Sequence, residues 1–164
     1  RWANEAFASF YGLDVGTIYY YYPGTGAYGP FEAKNWEAYV GGSWGPLSAK
    51  YSYSFTDFFG LKAPGIDTKG SQYLDLTGTF DLGSGFGLVG HVGWQYVKNG
   101  KDIGLIEDSF YDYKLGVTYD ISGSGWIGGL AVVGTSEKKV FPTSDFDPDG
   151  AGKTSVVVSI TKSF

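Results

Sequence analysis

The chain has 164 residues, among them 27 Gly, 14 Tyr, 12 Phe and 5 Trp, but no Cys and no Met. This length predicts one domain, residues 1–164, and the lack of cysteine excludes disulfides, a thiolate nucleophile and a cysteine metal site. The net charge of −5 argues against a nucleic-acid partner. No stretch has the ~20 predominantly apolar residues that a transmembrane helix needs.

The main signal along the chain is an alternation of apolar and polar residues. Between Leu74 and Leu82, for example, the apolar Leu76 and Phe80 alternate with polar residues such as Thr77. A period of two predicts β-strands with one apolar and one polar face. The predicted strands, in chain order, are residues 13–22, 36–44, 46–55, 74–82, 86–96, 111–121, 126–136 and 156–164.

The predicted connections alternate in length. The short turns, rich in Gly, Pro and Ser, are residues 45–46, 83–85 and 122–125. The long polar connections are residues 23–35, 58–71, 98–109 and 137–152. Strands of ~10 residues joined in this way are typical of transmembrane β-barrels, in which the short turns are periplasmic and the long loops external. A β-sandwich has no reason to separate its connections by length.

Aromatic residues group near both ends of the predicted strands. Those near the long connections are Trp36, Phe55, Phe58, Tyr96 and Tyr111. Those near the short turns are Trp44, Phe80, Phe86, Tyr119, Trp126 and Phe164. Two aromatic girdles are what the two interfaces of a membrane favour. The predicted fold class is therefore all-β, a transmembrane antiparallel up-and-down β-barrel in the bacterial outer membrane, with outer-membrane lipid as its surroundings.

The direction of the strands bears on residues 1–12. If the last strand ends in the periplasm, residues 13–22 run outward, and a further strand within residues 1–8 would make the strand number odd. Bacterial single-chain barrels have even strand numbers. We expect either an eight-stranded barrel with a periplasmic extension, or a barrel of about twelve strands whose first strands are missing here.

Several segments resemble a known family. They are the Asp-Val-Gly and tyrosine-rich stretch at residues 14–24, the segments 36–41 and 45–54, and the C-terminal residues 158–164. These segments are similar to those of the TorF-like, Gcw-type conserved hypothetical proteins of Gram-negative bacteria, and residues 1–4 are similar to a Trp-x-Asn motif of that family. The resemblance implies an outer-membrane barrel of unknown function. It also implies a condensed N-terminal part, since family members carry more strands before the Trp-x-Asn motif.

The C-terminal residue carries a second resemblance. Phe164, with apolar residues at alternate positions before it, resembles the sorting signal that the outer-membrane barrel-assembly machinery reads. Lys162 stands where that signal often has an aromatic residue. The resemblance implies that this machinery is a partner of the chain.

The polar faces of the predicted strands would line the interior of the barrel. Their charged and amide side chains form the candidate lumen-lining set, which is Glu37, Lys50, Asp75, His91, Gln95, Asp112, Lys114 and Asp120. In a barrel of about eight strands, whose interior only holds side chains, they would form a packed plug of paired charges. In a wider barrel they would line a wet pore, where the excess of acids favours cations.

Two further features suggest chemistry less specifically. Asp145, Asp147 and Asp149 precede Gly150 with the spacing of the first half of a calcium loop. The distal bidentate acid is lacking because Val156 occupies its position, so an acidic surface turn is the alternative to calcium. His91 is the only histidine, and no nucleophile motif lies near it, so we predict no catalytic residue.

The function predicted from these features is passive diffusion of small solutes or ions through a porin-like channel. The second interpretation is a non-conducting structural barrel that packs with membrane partners, either other membrane proteins or copies of itself. The third is a soluble, secreted β-sandwich that binds a ligand. A larger strand number favours the pore because it widens the lumen.

Overall fold

The computed structural model describes residues 12–22, 33–121, 124–137 and 152–162. They form one eight-stranded antiparallel sheet in which each strand pairs with the next along the chain. The strands are β1 (Gly12–Tyr21), β2 (Lys34–Trp44), β3 (Leu47–Ser54), β4 (Gln72–Gly83), β5 (Phe86–Tyr96), β6 (Ser109–Asp120), β7 (Trp126–Thr135) and β8 (Ser155–Lys162). The predicted all-β class, the eight strands and their up-and-down order are confirmed.

The register of the sheet keeps the alternation of every strand in phase. Leu74 of β4 lies opposite Trp94 of β5, which lies opposite Tyr111 of β6. One face is therefore apolar, and we call it the apolar face. Its exposed members include Leu13, Val15, Val40, Tyr51, Leu76, Val92, Leu115, Val132, Val158 and Ile160. The opposite side, which we call the polar face, carries most of the charged, hydroxyl and amide side chains of the strands.

Two 3₁₀ turns interrupt the long connections, Phe58–Gly60 between β3 and β4 and Lys101–Ile103 between β5 and β6. None of the helical segments in the described residues is long and apolar enough to cross a membrane. The short connections have the predicted chemistry. Ser84 and Gly85, between β4 and β5, both have positive φ, as a type I′ hairpin turn requires.

The sheet is strongly curved, as the contacts of the first 3₁₀ turn show. The ring of Phe59 lies 5.6 Å from that of Tyr20 in β1, while the neighbouring Phe58 packs in one cluster with Val97 and with Phe110 in β6. In a flat sheet β1 and β6 would be roughly 24 Å apart, since neighbouring strands are ~4.8 Å apart. Tyr20 and Phe110 both belong to the polar face by register. The polar face is therefore the concave side.

The predicted closed barrel is not what the structure shows. Hydrogen-bonded pairing runs from β1 to β8 in sequence order, and no ladder joins these two strands in the described part of the chain. Among the described residues the sheet is open, because β1 pairs only with β2 and β8 pairs only with β7. Residues 1–11 lie outside the described residues, so the alternatives for the N-terminal part stay predictions.

Candidate functional site on the polar face

All eight predicted lumen-lining residues lie on the polar face. The register places Lys50 opposite Asp75 and His91 opposite Lys114. Gln95 is buried and its amide donates to the carbonyl oxygens of Gln72 (2.9 Å) and Tyr96 (3.1 Å). The remaining three are Glu37 on β2, and Asp112 and Asp120 on β6. That these residues line a lumen stays a prediction.

Three of these side chains meet in a network across β4, β5 and β6. His91 Nε2 lies 2.8 Å from Asp112 Oδ1, and its Nδ1 lies 3.5 Å from Asp75 Oδ1. Tyr73 donates its hydroxyl to Asp112 Oδ2 at 3.0 Å. Thr77 donates to Asp75 Oδ1 at 2.9 Å and lies 3.0 Å from His91 Nδ1. We call this set the His91 network.

Two carboxylates flank the ring of His91, one on each side. The Thr77 hydroxyl donates its proton to Asp75 Oδ1. The Asp112 carboxylate, which can only accept, lies 2.8 Å from His91 Nε2. His91 Nδ1 and Thr77 Oγ1 are also within hydrogen-bond distance. The network therefore holds the imidazole between Asp75 and Asp112 on the polar face.

A glycine makes room for the His91 network. Gly93 lies opposite both Asp75 and Asp112. A Cβ built on Gly93 would overlap the Tyr73 hydroxyl and the Asp112 carboxylate. Any side chain larger than hydrogen would therefore push the donor and the acceptor apart. The close approach explains why a glycine stands in the middle of β5, where it weakens the strand.

A second polar cluster lies where β2 and β3 reach the long connections. Asn35 is completely buried, and its side-chain oxygen accepts hydrogen bonds from Ser54 Oγ and from Thr56 Oγ1 (3.1 Å). Its amide nitrogen donates to Glu37 Oε1 at 2.5 Å. Thr56 Oγ1 also accepts from the backbone nitrogen of Trp36 at 2.9 Å. The cluster ties Glu37 of the lumen-lining set to the start of the β3–β4 connection.

The β3–β4 connection, residues 55–71, folds back over the concave side, and we call it the inward segment. Thr68, completely buried, holds it together. The Thr68 hydroxyl accepts from the backbone nitrogen of Phe58 (2.8 Å) and donates to the carbonyl of Leu61 (2.7 Å). The Thr68 backbone nitrogen donates to Asp57 Oδ1 at 3.1 Å. The structure therefore corrects the prediction that Phe58 belongs to an aromatic girdle, because this ring is buried in an apolar cluster.

The inward segment is also tied to the β5–β6 connection. Ser71 Oγ accepts from the backbone nitrogen of Lys98 (3.2 Å), and Asn99 Nδ2 donates to the Asp67 carbonyl (2.9 Å). Lys98 Nζ lies 3.2 Å from Asp67 Oδ1. These contacts join two connections at the same end of the sheet. They fix the base of the inward segment, while its 3₁₀ turn reaches across to β1 and β2.

The metal and assembly predictions fall outside what the structure describes. Asp145, Asp147 and Asp149, the candidate calcium ligands, and Phe164, the candidate assembly signal, are not among the described residues. Within those that are, no group of three or more acidic or histidine side chains is arranged to hold a metal ion. Calcium binding and recognition by the assembly machinery therefore stay predictions.

The fold and the polar site define an all-β protein built on one open, two-faced antiparallel sheet. The chain belongs to a bacterial family of unknown function, Gcw_chp, which matches residues 2–164. No curated protein matches the chain, and no solved structure matches it. The family membership agrees with the Gcw-type resemblance of the sequence motifs, and it assigns no activity.

Sequence reasoning missed the residues that organise the inward segment. Thr68, Asn35 and Phe59 stand in stretches without strand periodicity or at a strand boundary. Nothing therefore marked Thr68 and Asn35 as buried, or Phe59 as partly buried. One signal was present, namely two consecutive phenylalanines, Phe58 and Phe59, within an otherwise polar connection. Large apolar side chains in a loop indicate that the loop packs against something.

Proposed function

We propose that the chain forms the wall of a bacterial outer-membrane β-barrel whose polar face lines a porin-like path for small solutes or ions. The observation that carries the proposal is the reversed distribution of burial among the described residues. Of the four largest fully buried side chains, three are polar (Asn35, Thr68 and Ser71) and one is apolar (Val97), whereas Val158 is 79% and Ile160 is 70% exposed. An apolar surface of this extent on a folded chain marks contact with a membrane or a partner.

The ends of the apolar face support a membrane as its surroundings. Trp36 and Phe55 pack edge to face near the long connections, with ring centroids 5.7 Å apart. Phe86 and Tyr119 pack near the short turns at 4.7 Å. Aliphatic residues fill the face between these pairs, and amphipathic aromatic rings favour the two membrane interfaces. The apolar face therefore has the layout of a lipid-facing wall.

The outer edges of β1 and β8, which pair with no strand of the described residues, support closure of the sheet into a barrel in the membrane. An open edge within hydrocarbon leaves backbone N–H and C=O groups without partners, at several kcal/mol per group, so only closed barrels span with strands. The proposed barrel therefore completes the pairing of both edges. The concave polar face then surrounds the interior.

The exposure and the charge of the side chains on the polar face are evidence for a water-filled path. Lys114 and Asp120 are exposed, and the Asp75 and Asp112 side chains keep 26% and 36% exposure. The lumen-lining set contains four acids and two lysines. Fixed charges lining a path select ions of opposite sign. The proposed channel is therefore modestly selective for cations.

A specific observation favours a second candidate, the non-conducting structural or interaction barrel. The inward segment and the Phe58, Val97 and Phe110 cluster occupy part of the concave side. If these groups fill the interior completely, the barrel carries no current and serves to pack with membrane partners. The soluble β-sandwich has less support, because the described residues form one sheet and supply no second sheet to cover the apolar face.

Single-channel recording tests the proposal. The full-length natural protein is purified in detergent and reconstituted into planar bilayers, where we expect stepwise currents with a reversal potential that indicates cation preference. Lys114→Glu should raise the cation preference because it adds negative charge to the polar face. Lys101→Glu, in the β5–β6 connection, makes the same change outside the strands and is the matched control. Absence of current from the correctly folded protein would contradict the channel.

A further inference from the structure

We infer that the inward segment sets the size limit of the path, with the ring of Phe59 as its narrowest element beside Tyr20 and Tyr22. The inference rests on the proposed function and names the element that determines which solutes pass. The selected class is small hydrated ions and small polar solutes, because the opening is bounded by aromatic rings on one side and by the polar face on the other.

The position of the 3₁₀ turn carries the inference. Phe59 lies 5.6 Å from Tyr20 and 6.2 Å from Tyr22, ring centroid to ring centroid. Phe58, whose ring is 4.9 Å from that of Phe59, packs on the opposite side with Val97 and Phe110. The turn thus spans the concave side from β1 to β6 near the long connections. A solute that follows the polar face between β1 and β6 must pass it.

The turn is also held in one conformation. Phe59 has φ 47° and ψ 34°, in the left-handed region, which is unfavourable for an L residue. Gly60 follows with φ 76°, and the nitrogens of Gly60 and Leu61 donate to the Asp57 (3.0 Å) and Phe58 (2.9 Å) carbonyls. Buried Thr68 fixes the other side of the turn. A strained residue that surrounding contacts hold in place is characteristic of functional sites.

The cysteine-free sequence allows a direct test. Phe59→Cys and the matched control Phe55→Cys are each modified in detergent with a charged methanethiosulfonate reagent, and complete labelling is checked by mass spectrometry. Phe55 belongs to the same connection but lies on the apolar face beside Trp36 and Tyr53. After reconstitution, we expect loss of most of the current for labelled Phe59→Cys, recovery on reduction, and unchanged current for labelled Phe55→Cys.

The possible results distinguish failure of the Phe59 constriction from failure of the channel function. If the natural protein conducts and labelled Phe59→Cys conducts equally well, the inference is overturned and the channel stands. Equal loss for both labelled variants overturns it too, because the effect is then not local to the concave side. If the natural protein carries no current, the porin-like function is wrong. In that case the double variant Phe58→Ala, Phe59→Ala is recorded in the same way. A current from it would support the inward segment as a plug that closes the path, and the absence of current would overturn the inference as well.

Discussion

The two faces of the sheet differ in how they are organised, although the same strands form both. On the apolar face, Val158 and Ile160 of β8 are among the most exposed side chains. On the polar face, Tyr73, His91 and Asp112 are joined by hydrogen bonds of 2.8–3.3 Å. Within the described part of the chain, side-chain order therefore comes from polar contacts on the concave side, whereas the convex apolar side is exposed there.

This difference reverses the arrangement of a water-soluble domain, in which apolar residues fill the core and most polar residues are outside. The apolar cluster around Phe58 is small and local to the long connections. The hydrophobic effect therefore acts mainly between the apolar face and whatever covers it. Substitutions on each face can show whether that face is exposed to lipid or to water, and the largest effect is expected on the apolar face.

The strongest test places one charge on each face at neighbouring positions. Val158→Arg puts a guanidinium on the apolar face in the middle of β8, and we expect a loss of roughly 2–4 kcal/mol of folding free energy in lipid vesicles, the cost of Arg or Lys at the midplane of a barrel wall. Ser159→Arg faces the other side and should cost much less. Denaturant titration of both variants in vesicles, followed by tryptophan fluorescence, measures the difference.

The same pair of variants distinguishes the soluble alternative. At a position that is 79% exposed to water, Val158→Arg should change stability by no more than about 0.5 kcal/mol, as most surface substitutions do. Equal, small effects for Val158→Arg and Ser159→Arg would therefore contradict a lipid-facing apolar face. They would favour an apolar face that is exposed to water.

The second test concerns the anchor of the inward segment. Thr68→Val keeps the shape of the side chain but removes the hydroxyl, which leaves the Phe58 nitrogen and the Leu61 carbonyl without their partner. We expect a loss of about 1–3 kcal/mol, the cost of buried polar groups left unsatisfied. Thr68→Ser keeps the hydroxyl and is the matched control. A midpoint for Thr68→Val at or above that for Thr68→Ser would show that the hydroxyl is not what holds the segment.

The strands could be predicted from the sequence because the alternation of apolar and polar residues lies within each strand. In β3, Leu47, Ala49, Tyr51 and Tyr53 alternate with polar residues, and this period depends on no other part of the chain. The predicted strand 86–96 has the same ends as the observed β5. The lumen-lining candidates fell on one face for the same reason, since a strand's faces follow from its own period.

The remaining features depend on contacts between distant residues. The His91 network needs the register of three strands, which places Gly93 between Asp75 and Asp112, and no local pattern specifies that register. The inward segment depends on the curvature of the sheet, because Phe59 reaches Tyr20 only across a concave surface. Whether the sheet closes depends on pairing at its two edges, which strand periodicity does not encode.

A third test is expected to have a moderate effect within the His91 network. Tyr73→Phe removes the hydroxyl that donates to Asp112 Oδ2, and we expect a loss of about 1 kcal/mol, the net worth of a typical hydrogen bond. Tyr51→Phe, in which the hydroxyl belongs to the exposed apolar face, is the matched control. A loss for Tyr51→Phe as large as that for Tyr73→Phe would argue against an organised concave side.

The smallest effect is expected outside both faces, at Lys101 in the β5–β6 connection. The hydrogen bond from Lys101 Nζ to Glu107 Oε2 (2.7 Å), then the charge of Glu107, raises the pKa of this amine above its ordinary value of 10.5. A raised pKa means that the pair stabilises the folded state below the ordinary pKa and stops doing so as the pH rises through the raised one. Because the pair is exposed to solvent, its contribution to the folding free energy is small.

Lys101→Gln should therefore leave the unfolding midpoint at pH 7 within experimental error. It should also reduce any loss of stability between pH 10 and 11, roughly the range in which lysine titrates. A clear loss at pH 7 would mean that the connection contributes more to the fold than its surface position indicates.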